Sequence, residues 1–230
     1  DIDTEIFFER IGLPILQGYG LTETSPVASV NTKKHHKRGT VGRPLPDTEI
    51  KILDDGEILI RGPHVTQGYY KRDDLTDDVI DSEGWFHTGD LGIIDQDGYL
   101  TINGRKKNLI VLGSGKNVQP EEVEESLRSS SLFKDVCILG VPIEGSIRKG
   151  QEEVGCMVIP ADDQSLLFPD EKSLVDALEA EVNLKCQAVA AYKRPTSIFV
   201  YKGEMPMTTT KKIKRNEVLE IAQNLRSENA

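Results

Sequence analysis

The hydrophobic pattern divides the chain into two parts of different texture. Up to about residue 103, short apolar runs alternate with polar positions, as in TEIKIL (48–53) and GEILIRG (56–62). Asp-Gly separates these two runs, and Asp97-Gly98 separates the next pair. This dipeptide is typical of β-hairpin turns. The first part is therefore predicted to consist of short strands joined by tight turns.

The first twenty residues predict a helix followed by a strand. Residues 4–11 have helical spacing, with Ile6, Phe7 and Ile11 on the apolar side. LPILQGYG (13–20) predicts a buried strand that runs into a glycine-rich turn. Two polar segments predict a basic loop and a loop or short helix, respectively: NTKKHHKRGT (31–40) and RDDLTDDVIDSEG (72–84).

After about residue 106, strand-like and helix-like segments alternate, which is typical of α+β and small α/β domains. Pro120 suits a first helical position, and Val123 and Leu127 share a face of the helix that it begins. The boundary between the two parts falls near 103–107. The other predicted elements are strands at 109–113, 135–142, 152–160 and 196–201, a polar loop at 144–151, and helices at 171–191 and 215–225.

Composition narrows the function classes. The chain has 230 residues, 37% of them hydrophobic, and a formal net charge of −10. An acidic chain is a poor match for nucleic acid, whose phosphates attract basic surfaces. Cys137, Cys156 and Cys186 have no CxxC spacing and predict buried, reduced thiols, as in a cytoplasmic protein. No apolar run approaches the ~18 residues of a membrane span, and no signal peptide is visible.

The segment GYGLTET (18–24) has residue types suited to a nucleotide. Tyr19 offers a flat ring, Gly20 lets the backbone approach a ligand, Thr22 offers a hydroxyl, and Glu23 offers a hard carboxylate suited to Mg²⁺. A short glycine motif also matches by chance, and from these residues alone a simple turn with a hydrophilic cap is the favoured interpretation.

Two further segments carry candidate binding groups. Asp90, in HTGDLG, can accept hydrogen bonds from a ribose diol, or it can be a solvated turn residue. Arg105, in GRKKNLIVLGSGKNV, can donate to a ribose or phosphate. Gly113 and Gly115 bracket a loop that can approach a ligand, although it matches neither a Walker A nor a Rossmann motif. The alternative for this segment is an inter-domain linker with solvated charges.

The segment PMTTTKKIKRNEV places four basic residues after a threonine-rich turn. One lysine can neutralise a phosphate, whereas a solvated basic tail is the simpler interpretation of a charge run. His35 and His36 do not predict a metal pair, because adjacent side chains in an extended loop point apart.

Taken in order, five motifs resemble the adenylate-forming acyl-CoA synthetase superfamily, and most of all its long-chain fatty acid–CoA ligases. The resemblance runs from residue 13 to residue 219. Its motifs are GYGLTET, GEILIRGPHVTQGYYK, GWFHTGDLG, GRKKNLIVLGSGKNVQPEEVE and TTTKKIKR.

The resemblance implies both a fold and a reaction. Such enzymes use ATP and Mg²⁺ to convert a fatty acid to acyl-AMP, and CoA then displaces AMP. The implied organisation is α/β and α+β: residues 1–104 end the large N-terminal domain with a short-stranded β subdomain, 105–108 form the hinge, and 109–230 form the small mobile α+β domain. Peripheral contact with a membrane is left open.

The resemblance also implies roles for single residues in the large domain. Tyr19 would stack on adenine, Thr22 would contact the α-phosphate, and Glu23 would bind Mg²⁺. Asp90 would hold the ribose hydroxyls, with Arg105 beside it.

In the small domain, Lys107 would be the hinge and Lys212 the lysine that steadies the carboxylate and α-phosphate. The loop of Gly113 and Gly115 would border the pantetheine channel. The sequence departs from the family pattern at Lys211, where most members have glycine, so Lys211 stays a weaker candidate for the catalytic lysine.

The phosphate loop of the family, YTSGTTGxPK, does not occur in this sequence, and the chain begins with Asp1. We therefore expect a C-terminal fragment that needs the remainder of the large domain and is inactive alone. The alternatives are an aryl-CoA ligase, an amino-acid adenylation domain, an acyl-AMP ligase, or a non-catalytic nucleotide-binding module.

Overall fold

The computed structural model describes residues 2–143, 151–162 and 168–228. It divides the chain into two compact units, residues 1–107 and 108–230, each of which is described by itself. The division falls within the predicted 105–108 segment, whose function as a hinge stays a prediction. The predicted polar loop at 144–151 lies, apart from Gln151, outside the described residues.

The first unit opens with helix α1 (Ile2–Arg10). The prediction of its apolar side was wrong, because Phe7 and Ile11 are exposed and Glu5 is buried. The Glu5 carboxylate accepts hydrogen bonds from the Gln17 side chain and the Gly39 backbone, and it pairs with a His36 ring nitrogen at 2.7 Å. The polar side of α1 is therefore the one that packs on the chain.

The buried strand predicted for 13–20 is present only as β1 (Gly18–Tyr19), and Leu13 is 62% exposed. Strand pairing begins at Gly18, opposite Val30, so the apolar residues before it have no ladder to join. β1 lies in a three-stranded antiparallel sheet with β2 (Ser29–Val30) and β3 (Arg43–Pro44).

A four-stranded antiparallel sheet, in the order β4-β5-β6-β7, forms the rest of the first unit together with helix α2 (Asp73–Val79). The predicted turns are confirmed: Gly56 and Gly98 both adopt the positive φ that such turns require. Ile58, Ile60 and Leu100 are fully buried in its core with Ala28. The strands are β4 (Glu49–Ile52), β5 (Glu57–Arg61), β6 (Phe86–Ile94) and β7 (Leu100–Arg105).

The second unit is built on a three-stranded sheet in which the central strand pairs antiparallel on one side and parallel on the other. The strands are β10 (Phe133–Pro142), β11 (Glu152–Pro160) and β12 (Ser197–Val200), and the helices are α3 (Pro120–Leu127), α4 (Glu171–Lys185) and α5 (Arg215–Glu228). A hairpin of β8 (Ile110–Val111) and β9 (Asn117–Val118) precedes them. Pro120 begins α3, as predicted.

Side chains along β10 point alternately to the two faces of the sheet, and each face packs in a different hydrophobic core. Ile138 packs with α3 and α4, whereas Cys137 and Leu139 pack with α5 on the opposite face. The sheet therefore lies between two helical layers. All three cysteines are buried free thiols, as predicted, and burial raises the pKa of Cys137 to about 12.

Two elements of the second unit are shorter than predicted. The strand expected at 109–113 is reduced to β8. The helix expected over 171–191 ends at Lys185, and a 3₁₀ turn follows. Cys186 and Val189 still pack on the same core, so the apolar spacing continues past the end of the helix. None of the helices in the described ranges has the length and apolarity that a membrane crossing needs.

We predict that Leu178→Ala lowers the free energy of unfolding by about 2–5 kcal/mol, because it leaves a cavity in a fully buried site. Thermal unfolding followed by circular dichroism measures the change. Leu184→Ala on the same helix is the control. Leu184 is 58% exposed, so its truncation should change stability by no more than about 0.5 kcal/mol. Equal losses in both variants would contradict this packing.

Candidate functional site

A carboxylate with two partners forms the centre of the candidate site in the first unit. Asp90 on β6 is 4% exposed. Its Oδ2 accepts a hydrogen bond from the Tyr19 hydroxyl at 2.6 Å, and its Oδ1 lies 2.6 Å from Nε of Arg105. The structure thus brings together three of the residues that the sequence singles out.

Strand register and the position of β1 explain why these three residues are in contact. Asp90 and Arg105 are directly opposite each other in the β6–β7 register, so their side chains lie on the same face. The backbone N–H of Asp90 donates to the Thr88 hydroxyl at 3.0 Å, which fixes the strand locally. Tyr19 arrives from β1, and its ring is half-buried.

The surroundings of Tyr19 keep its hydroxyl protonated. Burial, followed by the hydrogen bond to Asp90, raises the pKa of Tyr19 well above its usual value. Tyr19 is therefore a neutral donor at physiological pH. Asp90 accepts from a hydroxyl on one oxygen and faces a guanidinium on the other, and a carboxylate so placed is also suited to the hydroxyls of a ribose.

Gly20 has a structural explanation in this fold. A Cβ at this position would lie 2.0 Å from the carbonyl oxygen of Pro26, well inside van der Waals contact. The close approach that Gly20 permits is therefore to the backbone of its own loop. Its predicted contact with a nucleotide stays a prediction.

Thr22 and Glu23 lie in a 3₁₀ turn that spans Thr22–Thr24. The buried Thr24 hydroxyl accepts from the Leu21 backbone N–H at 2.8 Å, which holds the turn. Thr22 is exposed, and Glu23 is half-buried. Oε1 of Glu23 accepts a hydrogen bond from the hydroxyl of Tyr69 at 2.8 Å.

Tyr69 is a residue that the sequence did not single out. Its hydrogen bond to Glu23 raises the pKa of the phenol. The Tyr69 backbone N–H donates to the Thr76 hydroxyl on α2 at 2.9 Å. The signal in the sequence was weak, because Tyr70 beside it has the same side chain and is 87% exposed.

The donors near Glu23 fit a magnesium ion that is also bound by phosphates. Within the described part of the chain, no group of three His, Cys, Asp or Glu residues forms a metal cage. Mg²⁺ commonly takes one or two protein carboxylates and completes its shell with substrate phosphates and water. Glu23 offers one hard carboxylate on a rigid turn, which matches that mode.

Gly113 and Gly115 lie in the hairpin turn between β8 and β9. The backbone N–H of Gly115 donates to the Leu112 carbonyl at 2.8 Å, and Gly115 has φ of +79°. A Cβ at Gly113 would lie 2.9 Å from the side chain of Gln151. The turn itself therefore requires glycine at 115, whereas a side chain at 113 would only displace the end of Gln151. The predicted border with pantetheine stays a prediction.

Lys212 lies on a second hairpin, between Met207 and Ile213, which form an isolated β-bridge. The Lys212 backbone N–H donates to the Thr208 hydroxyl at 3.1 Å, and its side chain is exposed. Lys211 has φ of +57°, in the left-handed region that favours glycine. This position is therefore the one where a glycine before a lysine is expected, which supports Lys212 over Lys211.

Lys107, the predicted hinge, lies in a 3₁₀ turn of Lys106–Asn108 at the end of the first unit. Lys106, which the sequence did not single out, pairs with Asp55 at 2.7 Å and with the buried Glu57 at 2.9 Å. These two ion pairs fasten the chain to the β4–β5 hairpin immediately before Lys107.

The family models for the AMP-binding enzyme match residues 3–70, and those for its C-terminal domain match residues 107–224. The second match alone covers half of the chain. The chain belongs to the AMP-binding enzyme family.

Relatives and solved structures agree with this membership. A long-chain-fatty-acid–CoA ligase of Mycobacterium bovis is 35% identical over 93% of this chain and 38% of its own length. The ATP-bound RpMatB-BxBclM chimera has a TM-score of 0.80 at 28% identity, over 97% of this chain and 44% of its own. O-succinylbenzoate CoA synthetase of Bacillus subtilis, in complex with ATP and magnesium, has a TM-score of 0.72 at 28% identity, over 91% and 42%.

The predicted fold class and family are therefore confirmed. The chain spans about 38% of the length of the curated relative that it matches. Both structures hold ATP, and that of O-succinylbenzoate CoA synthetase also holds a magnesium ion. The acids in the relatives' names differ, a long-chain fatty acid in one and O-succinylbenzoate in another, so membership shows an AMP-binding, acid–CoA ligase family and does not specify the acid.

We predict that Lys211→Gly raises the free energy of unfolding by about 0.5–1 kcal/mol, because glycine removes the steric cost of a left-handed residue. Thermal unfolding measures the gain. Thr209→Gly in the same turn is the control, because Thr209 does not have a positive φ. Glycine at that position relieves no steric cost and only raises the conformational entropy of the unfolded chain, so it should lower the free energy of unfolding. A loss of stability in Lys211→Gly would contradict the assigned backbone.

We predict that Tyr19→Phe lowers the free energy of unfolding of the first unit by about 1–2 kcal/mol, because buried Asp90 loses a donor. Urea unfolding followed by the fluorescence of Trp85, the one tryptophan in the sequence, measures the loss. Tyr70→Phe, at an exposed neighbour of the site, should leave stability unchanged. Indistinguishable variants would show that the Tyr19–Asp90 bond contributes nothing.

Proposed function

We propose that the full-length protein activates a fatty acid, of the long-chain class, as acyl-AMP at the expense of ATP and then transfers the acyl group to CoA. The observation that carries the proposal is the Tyr19–Asp90–Arg105 group. It places a buried carboxylate, a hydroxyl and a guanidinium together where the motif order of the family expects the nucleotide. The identity to long-chain-fatty-acid–CoA ligases favours a long acyl chain.

In this proposal the first unit binds the nucleotide. The ribose hydroxyls donate to Asp90, whose other contacts are the Tyr19 hydroxyl and the Arg105 guanidinium. The Tyr19 hydroxyl fixes the ring through Asp90 and leaves its face for adenine. Thr22 would donate to the α-phosphate, and Glu23 would hold the magnesium ion, which when bound would neutralise charge on the phosphates.

Lys212 supplies the charge for the adenylation step. Its ammonium would lie between the fatty-acid carboxylate and the α-phosphate, where negative charge accumulates as the new P–O bond forms. Its exposed position on a narrow hairpin suits a group that must reach a substrate. CoA must then approach the adenylate, so Lys212 has to withdraw, and we assign that movement to Lys107.

The β8–β9 hairpin is assigned to the thioester step. Gly113 and Gly115 leave Ser114 as the one side chain between them at its tip, so an extended pantetheine can pass close to the backbone.

We predict that Lys212→Ala in the full-length protein lowers fatty-acid-dependent ATP–pyrophosphate exchange by about 10³-fold. A charge pair at about 4 Å is worth roughly 4 kcal/mol at an effective dielectric of 20, and 1.36 kcal/mol is tenfold in rate. Thioester formation from supplied acyl-adenylate should be spared. Lys214→Ala is the matched control, because Lys214 pairs with Glu217 on the surface. Equal exchange in Lys212→Ala and the parent would overturn the assignment.

A panel of acids, each tested with and without CoA, decides the substrate class. Long-chain fatty acids with CoA-dependent product support the proposal. Preference for aryl acids or amino acids, or acyl-AMP as the end product, would replace it with another adenylate-forming activity. Failure of the full-length protein to bind ATP by calorimetry would indicate a non-catalytic module.

A further inference from the structure

An ion pair with little exposure lies at the first residue of α5. Nη1 of Arg215 is 2.6 Å from Oε1 of Glu124, and Nη2 is 3.1 Å from Oε2, so the guanidinium and the carboxylate form a two-point contact. Glu124, on α3, is 6% exposed. Burial alone lowers the pKa of Arg215, but Glu124 more than offsets it and raises the pKa above its usual value.

The pair also fastens both helices to the sheet. Nη1 of Arg215 donates to the carbonyl oxygen of Ile138 at 2.5 Å, and the backbone N–H of Ile138 donates to Oε1 of Glu124 at 2.9 Å. Two charged side chains thus occupy both backbone groups of one residue in β10. Three elements, α3, β10 and α5, meet at this point.

The hairpin of Lys212 continues directly into this junction. The Lys214 backbone N–H donates to the carbonyl of Pro206 at 2.9 Å, and Met207 pairs with Ile213, so the stem of the hairpin is closed. Arg215 is the next residue after that stem. Lys212 itself has no side-chain partner within the described ranges. The position of its backbone therefore depends on the hairpin stem and on Arg215, which follows the stem.

A second ion pair on α5 offers a comparison. Arg226, at the other end of the helix, pairs with Glu153 and donates to the Ser197 hydroxyl at 2.9 Å. It has similar chemistry, also joins α5 to the sheet, and is far along the helix from Lys212. The side chains of this pair are more exposed, at 27% and 26% against 18% and 8% for Arg215 and Glu124, so Arg226→Lys tests whether changing any paired arginine of α5 has the same effect.

We propose that Arg215 and Glu124 are positioning residues that hold Lys212 for the adenylation step. The proposal rests on the role of Lys212 proposed above. Arg215 acts through the backbone of the hairpin and touches no substrate. Lysine at position 215 keeps the charge but lacks the planar fork that reaches Glu124 and Ile138 together. The hairpin of Lys212 should then lose its fixed register.

The test compares Arg215→Lys, Glu124→Gln and the control Arg226→Lys in the full-length protein. Each variant is assayed for ATP–pyrophosphate exchange and for thioester formation from supplied acyl-adenylate. We expect Arg215→Lys and Glu124→Gln to lower the kcat of exchange at least tenfold with KM for ATP within twofold, and thioester formation to stay within twofold. Arg226→Lys should keep both rates within twofold. Equal loss of both half-reactions, or equal loss in Arg226→Lys, would overturn the proposal.

Hydrogen exchange supplies a readout that does not depend on activity. Arg215→Lys should speed amide exchange of 207–214 at least tenfold, whereas Arg226→Lys should leave that segment unchanged. Unchanged protection in Arg215→Lys would contradict the proposal.

A double variant separates the two proposals. If Lys212→Ala leaves exchange intact, the proposed function of Lys212 fails. If Lys212→Ala lowers exchange to a measurable residual rate and adding Arg215→Lys does not lower that residual rate further, the positioning proposal is supported. If Lys212→Ala lowers exchange and Arg215→Lys alone does not, only the positioning proposal fails.

Discussion

The charge of Asp90 is the constraint on which the candidate nucleotide site depends. A carboxylate so deeply buried costs several kcal/mol unless donors and a cation meet it. The β6–β7 register brings Arg105 opposite Asp90, and strand β1 supplies Tyr19. The contacts that make this charge tolerable in the folded state also fix the orientation of the groups that would face a ribose.

The second unit also contains a buried carboxylate, but there its contacts join helices to a sheet. Glu124 is as buried as Asp90, but its partners are Arg215 and the backbone of β10, so the pair ties helices to a sheet. Lys212 itself is exposed and needs no partner for the fold to be stable. The lysine proposed to meet substrate is thus exposed, whereas Arg215, three residues after it, is paired with Glu124.

Much of the fold followed from local pattern. Asp-Gly turns, period-two strands and Pro120 each specify structure within a few residues, and those predictions hold. The helical face of α1 and the strand at 13–17 did not follow. Glu5 is buried by partners that come from 12 to 34 residues away in the chain, and no local pattern reports them.

The candidate site likewise contains residues that the sequence predicted and residues that it did not. Tyr19, Asp90 and Arg105 were predicted as separate candidates, and family resemblance joined them before the structure did. Tyr69, Lys106 and Glu124 were missed because their importance lies in long-range pairing: the sequence shows a tyrosine, a lysine and a glutamate among many. The left-handed backbone at Lys211 has no signal in the lysine itself, and the glycine that most family members have there is the one feature that points to it.

The mixed pairing of β11 has a consequence for how the second unit assembles. β10 and β11 are joined by a short connection and can pair as a hairpin, which closes with little loss of chain entropy. β12 pairs parallel to β11 and can reach it only after the chain has crossed over through α4. Contacts between sequence-distant strands form slowly. Translation also delivers β12 and α5 after β10 and β11, so the junction of Arg215 with β10 closes only when most of the unit is already synthesised.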